Sequence, residues 1–261
     1  MQKLTPLKRF GQNYLKDENI LNKIVRTIDP QIEDHIIEIG PGTGSLTKKI
    51  IEKTNNFIAV EIDKRVIDQL KDRFPGINLI NDDFMNIDLK SFMNDSDHRL
   101  RIIGNIPYNL TSPILFKLLE NRNVLRDAVF MIQLEVAQRM NAKIGTKDYG
   151  ILAVILNQFA DVQLCFKVSP NVFYPKPKVY SAVIKIVFKD TGMSDNEALV
   201  FIKTVKAAFG KRRKTLRNSL NSSIFENIDF TNCGIDLSLR AERLSIADFV
   251  KLSQFVLNNL S

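Results

Sequence analysis

The chain has 261 residues, 44% of them hydrophobic and 25% charged, enough for one large domain or a large and a small one around a well-buried core. No apolar run reaches the roughly eighteen residues a membrane span needs, and Met1 to Gln12 is basic without an apolar stretch behind it, unlike a secretory signal. The formal net charge is +8, and the only histidines, His35 and His98, have no partner at ligand spacing, which argues against histidine triads, zinc sites and imidazole bases.

Ile36 to Ile39 reads as a strand ending in glycines, Leu46 to Lys53 as a helix, Phe57 to Glu61 as a strand and Val66 to Phe74 as a helix. Ile77 to Ile80, Leu100 to Gly104 and Ala128 to Gln133 continue the strands, with a helix at Ser112 to Glu120 between the last two. Alternation at this spacing predicts a mostly parallel, Rossmann-like sheet covered by helices on both faces. Ligands on such sheets bind where the strand order switches, at the carboxyl ends. Val162 to Val168 and Val179 to Phe188 read as late strands joined by a proline-rich loop. The polar stretch Lys189 to Asn196 marks a boundary, giving an α/β domain over 1–189 and a small all-α domain over 190–261. The second domain's helices are expected at Glu197 to Phe209, Lys214 to Ser223 and Ile246 to Leu257.

Two segments carry chemistry. Glu38-Ile39-Gly40-Pro41-Gly42-Thr43-Gly44 closes the first strand with glycines that let the backbone approach a ligand, and Glu61 ends the second strand. An acidic residue about twenty positions after the first glycine can accept hydrogen bonds from both hydroxyls of a ribose. That much suits a nicotinamide dinucleotide equally, and a tight turn with no ligand is the plainer alternative. Two details separate the cofactors: Ser45 stands where the dinucleotide fingerprint wants glycine, and Glu38 sits badly beside a pyrophosphate but suits the amino-acid end of a zwitterionic sulfonium. Asp83, after the third strand, can accept from an adenine amino group, with Phe84 near the ring; it serves as readily as a turn-forming aspartate.

Asn105-Ile106-Pro107-Tyr108 follows the fourth strand. An aromatic amine is a poor nucleophile because its lone pair is delocalised into the ring. The Asn105 side-chain oxygen and the Ile106 carbonyl could each accept one N–H, drawing the nitrogen toward tetrahedral geometry. Pro107 would fix that carbonyl inward, and Tyr108 would stack on a base removed from its own stack. Methyl transfer then needs positioning more than acid–base catalysis, in keeping with the shortage of histidine. A proline turn after a strand is the alternative. The +8 excess is concentrated: Lys176 to Ser219 holds eleven Lys and Arg against three Asp and Glu. Such a cluster favours a polyanion partner, with a solvated helix face or a membrane surface as the weaker readings. Lys211 to Arg217 is the candidate basic helix for RNA backbone contact.

These segments, with Gly11-Gln12-Asn13-Tyr14-Leu15, Gln133-Leu134-Glu135-Val136, Tyr149-Gly150, Phe173-Tyr174-Pro175-Lys176-Pro177-Lys178-Val179-Tyr180-Ser181, Arg212 to Leu220 and Arg240 to Ser245, occur in an order that resembles the KsgA/RsmA-type ribosomal RNA adenine N6,N6-dimethyltransferases over nearly the whole chain. The resemblance implies S-adenosylmethionine as cofactor, contacted by Asn13, Leu15, Gly40, Glu61, Asp83 and Asn105. It implies Asn105, Pro107 and Tyr108 at the target base, with Phe173 stacking from the other side, and no metal. The implied substrate is two adjacent adenosines in the 3′-terminal hairpin of small-subunit (16S) rRNA, within an assembling 30S-type particle. The implied setting is a monomer in the cytoplasm, in accord with reading Cys165 and Cys233 as reduced thiols. Departures are mild: Tyr14 for a usual Phe, Leu110-Thr111-Ser112 for Ile-Ser-Thr, and Ala153 for a common Ser. The alternatives are an Erm-type large-subunit rRNA adenine dimethyltransferase and a non-catalytic assembly factor. Pro113 and the Arg212 to Leu220 segment favour the small-subunit type.

Overall fold

A computed structural model describes residues 6–7, 11–93, 98–211 and 213–260. Arg212 and parts of Met1 to Gln12 and of the polar stretch around His98 lie outside them. The chain forms two compact units, one of the residues up to Ala137 with Val162–Phe188, the other of Gln138–Asp161 with the residues from Lys189 onward.

The first unit opens with β1 (Tyr14–Leu15) and α1 (Glu18–Ile28), then alternates β2 (His35–Ile39), α2 (Ser45–Ile50), β3 (Asn56–Val60), α3 (Lys64–Arg73) and β4 (Asn78–Ile80). β5 (Leu100–Asn105), α4 (Thr111–Glu120) and β6 (Leu125–Gln133) follow; the chain then runs through α5 (Leu134–Met140) and through α6 (Ile151–Phe159) of the second unit before β7 (Ala160–Val168), β8 (Phe173–Tyr174) and β9 (Ser181–Phe188). Seven strands pair in the order β4-β3-β2-β5-β6-β9-β7. β2 pairs parallel with both β3 and β5, β5 pairs parallel with β6, and β9 pairs antiparallel with β6. The parallel strands are buried on both faces, as β2 and β5 show, with Glu38 and Arg101 the charged residues among the buried positions of these two. The chain runs outward from β2 to β4, then returns to place β5 on the other side of β2. The carboxyl ends of β2 and β5 are therefore the switch point.

α1 packs one stripe, Leu21, Ile24 and Ile28, into the core, and Asp17 caps it by accepting from the Ile20 N–H at 3.0 Å. β1 and β8 form a separate two-stranded antiparallel pair, Tyr14 opposite Tyr174 and Leu15 opposite Phe173. At the opposite end of the strands from the switch point, Arg101 is 2% exposed. It forms a two-pronged pair with Asp127 at 2.8 Å and bonds Asp34 and the Ile28 carbonyl as well. One guanidinium thereby ties the starts of β5 and β6 to the turn before β2.

The second unit adds α7 (Asp195–Phe209), α8 (Leu216–Leu220) and α9 (Ile246–Asn258). Ser194 with Glu197 and Ser245 with Asp248 form capping boxes at the starts of α7 and α9. The boundary differs from the expected 189/190 division in one respect: α6, inside the first 189 residues, belongs to the second unit. Ala153, Val154, Ile155, Leu156 and Phe159 are all buried, and Phe159 meets Phe201 of α7 edge-on at 5.6 Å. The expected basic helix from Lys211 also differs, since α8 begins only at Leu216. Thr215 is extended and caps it, and the Ser222 and Ser223 hydroxyls bond back to the Asn218 and Leu220 carbonyls, ending it early.

Candidate active site

Every strand from β2 to β5 delivers one predicted residue to the same edge. Ile39 lies beside both Val60 and Gly104, so the Gly40 loop, Glu61 and Asn105 emerge at one level. Hydrogen bonds continue the register past the strand ends: Gly40 N–H donates to the Val60 carbonyl at 2.9 Å and Glu61 N–H to the Ile80 carbonyl at 3.0 Å. Together they wall a cavity of about 290 Å³, lined also by Asn13, Leu15, Asp83 and Tyr108. It lies within the first unit.

The close approach depends on glycine at two places. A Cβ on Gly42, whose φ is +55°, would stand 2.9 Å from the Tyr14 ring. A Cβ on Gly104 would stand 2.6 Å from the Ile39 carbonyl oxygen, inside the sheet edge itself.

The acidic groups are buried. Glu38 is 2% exposed and accepts from the Thr47 hydroxyl at 2.7 Å. Burial pushes its carboxyl up to about 7, against the Thr47 hydrogen bond and with a smaller push from Glu61. Burial likewise raises Glu61, whose two oxygens accept from the Asp63 N–H at 2.9 Å and the Gly42 N–H at 3.4 Å. Asp83 lines the cavity, and one oxygen caps the following turn through the Met85 N–H at 2.8 Å.

Asn105 is oriented by the chain itself. Its side-chain amide donates to the Asn13 carbonyl at 2.7 Å, which turns Oδ1 the other way. Among the described residues no donor bonds Oδ1 or the Ile106 carbonyl. Pro107 and Tyr108 line the same wall, and the Tyr108 hydroxyl pairs with the Ser181 hydroxyl at 2.8 Å. Phe173 does not join them. It is 6% exposed, packs in the core cluster with Leu15 and Val168, and does not line the cavity.

Residues the sequence reading did not assign also shape the site. Leu21 and Ile24 bring α1 to the wall, and Tyr14 lines it with its hydroxyl buried and without a hydrogen bond among the described residues. Ser181 carried no signal of its own beyond its place in the Pro-Lys-Pro-Lys segment. Among the described residues no group of three or more His, Cys, Asp or Glu could hold a metal, and no helix is long and apolar enough to cross a membrane.

The family model for ribosomal RNA adenine dimethylases matches residues 5–257. The chain belongs to the ribosomal RNA adenine dimethylase family. Relatives within it include the Ribosomal RNA small subunit methyltransferase A of Chlorobium phaeobacteroides (strain BS1), 46% identical over 245 residues, covering 94% of this chain and 91% of the relative. The protein of that name from Francisella tularensis subsp. novicida (strain U112) is 42% identical over 253 residues, covering 95% and 97%. Among solved structures, a dimethyladenosine transferase from Plasmodium falciparum superposes with a TM-score of 0.76 at 26% identity, over 91% of this chain and 95% of that one. The 23S rRNA methyltransferase ErmE superposes at 0.67 and 22% identity, over 93% and 99%, a likeness of fold. This dimethylase chain thus carries the Asn105 motif and the glycine loop on one wall, in a methyltransferase fold.

Proposed function

We propose that this chain transfers methyl groups from S-adenosylmethionine to the N6 atoms of two adjacent adenosines in the 3′-terminal hairpin of small-subunit rRNA. The observation that carries the reading is the fixed amide of Asn105, held by the Asn13 carbonyl, with Oδ1 and the Ile106 carbonyl bonded by no donor among the described residues. Two acceptors at adjacent residues match the two N–H bonds of an adenine amino group. Accepting both withdraws the lone pair from the ring and directs it along the remaining tetrahedral position. Tyr108, tethered by Ser181, supplies a stacking face for an extruded base.

The cavity fits the cofactor. Glu61 stands where ribose hydroxyls can donate to it, and buried Glu38 offers a carboxylate that a cationic ligand would draw into its charged form. When bound, S-adenosylmethionine supplies an electrophilic methyl group on a sulfonium. Asn13, Leu15, Gly40, Asp83 and Asn105 would hold it, and the chain's contribution to the step is alignment and exclusion of water. The methylated nitrogen is acidic enough to lose its proton to solvent without a histidine base.

The relatives' printed names and the sequence features Pro113 and Arg212 to Leu220 favour the small-subunit substrate over an Erm-type one. The setting proposed is a cytoplasmic monomer acting on an assembling 30S-type particle, with the basic segment around Arg213 and Lys214 on the RNA backbone.

The test is methyl transfer from labelled cofactor to small subunits lacking this modification, with large subunits and naked RNA as controls. Label as N6,N6-dimethyladenosine in the small-subunit 3′ hairpin is the expected result; label in large-subunit RNA alone would overturn it. Asn105→Ala is expected to lower turnover by about a hundredfold or more while subunit binding survives. Retained methylation in that variant would reject the role given to Asn105.

A further inference from the structure

The loop from Tyr174 to Tyr180 lies between two residues, Tyr174 and Ser181, that each meet a residue of the cavity wall. At its start Tyr174 lies opposite Tyr14, a wall residue. At its end Ser181 holds the hydroxyl of Tyr108, another wall residue, at 2.8 Å. The loop is thereby tethered at both ends to the cavity wall that holds Tyr14 and Tyr108.

Its side chains point to a partner. Tyr174 is 53% exposed and Tyr180 56%, large aromatic faces turned to solvent with no role in the core. Lys176 and Lys178 are exposed between them, and no acidic residue occurs from Asn171 to Ser181. Exposed Lys16, next to the wall residue Leu15, places its ammonium 4.2 Å from the centre of the Tyr174 ring. Aromatic faces interleaved with cations are what single-stranded nucleic acid requires, since bases stack on the rings and phosphates pair with the ammonium groups.

We propose that this loop is a platform for the single-stranded nucleotides flanking the methylated adenosines, with Tyr174 and Tyr180 stacking on bases and Lys16, Lys176 and Lys178 holding the backbone. The proposal rests on the rRNA reading above and adds the surface that holds the strand once the target base has left it. Phe173, buried in the core, is not part of this surface.

The experiment measures binding and methylation of unmodified small subunits by the full chain across a salt series, with cofactor affinity measured by calorimetry on the same preparations. Tyr174→Ala and Tyr180→Ala are each expected to weaken productive subunit binding by about tenfold, with cofactor affinity and salt slope unchanged. The conservative Tyr→Phe exchanges should restore binding, because stacking needs the ring and not the hydroxyl. The Lys176→Ala, Lys178→Ala pair should lower the salt slope by about 1.4, the single-strand value for two phosphate contacts. Subunit binding unchanged in both Tyr→Ala variants would overturn the proposal. So would an unchanged salt slope in the lysine pair, which would make the loop a protein-contact surface. A wild-type chain that labels no small-subunit RNA would instead remove the function reading, and this platform with it.

Discussion

Glu38 shows how one residue's surroundings become a measurable property of the chain. Its carboxyl is buried and raised to about 7, so the native state holds that proton more tightly than the unfolded chain does. The resulting stability is fully present below the ordinary value of 4.5 and is lost as pH rises through about 7. Relative to Glu38→Gln, the wild-type chain is expected to lose about 3 kcal/mol across that window. Urea denaturation of both proteins at a series of pH values checks it, and parallel pH profiles would show that Glu38 stays ionised in the fold. Asn105 makes the complementary point. Its chemistry depends less on its own type than on the Asn13 carbonyl that decides which way its amide faces. The residue type could be read from the chain, but the direction of the amide could not.

At the level of elements, the strands and glycine loop that form the site were legible because their patterns are local. β2, β3, β4 and β5 each end within a residue of the expected position, and the residues singled out after them share one wall. The segments that escaped have patterns that are short or masked. β1 and β8 are two residues each, too short for a period of two to show, and their pairing joins distant parts of the chain. α1 carries its apolar stripe behind a capping Asp17, a signal present but overlooked beside the motif that precedes it. α6 runs into β7 without a turn residue, so the strand was read from Val162 while the helix before it was not. The burial of Phe173 was hidden for a related reason: its pairing with Leu15 sets it in the core, and nothing adjacent in sequence announces that partner. The contact of β2 with β5 yields a further test. Gly104→Ala would push a methyl group to 2.6 Å from the Ile39 carbonyl, where only backbone can give way. A destabilisation of about 1–3 kcal/mol is expected, together with loss of cofactor affinity in the protein that remains folded. Intact affinity would mean that the two strands can part without disturbing the loops above them.

Over the whole molecule, holding the sheet together and working at its edge are tasks assigned to opposite ends of the same strands. The Arg101 cluster ties β5, β6 and the approach to β2 at one end, while the cavity opens at the other. Arg101→Met would leave Asp34 and Asp127 buried without their shared partner, though Arg126 still reaches Asp34 at 3.0 Å. Its expected cost is about 3–5 kcal/mol in denaturant unfolding, with cofactor affinity of the folded protein unchanged. A loss of affinity at unchanged stability would contradict this division. The two units also interleave along the chain, since α6 leaves the first 189 residues to join α7 and α9. Cutting at residue 190 would therefore strip α6 of its packing partners. The pairing of β1 with β8 has a consequence for the birth of the protein. Tyr14 and Leu15 emerge from the ribosome early, but Phe173 and Tyr174 follow about 160 residues later. A nascent chain therefore cannot pin the Tyr14–Leu15 side of the cavity wall until β8 has been translated, although the strands that carry the other motifs are already made.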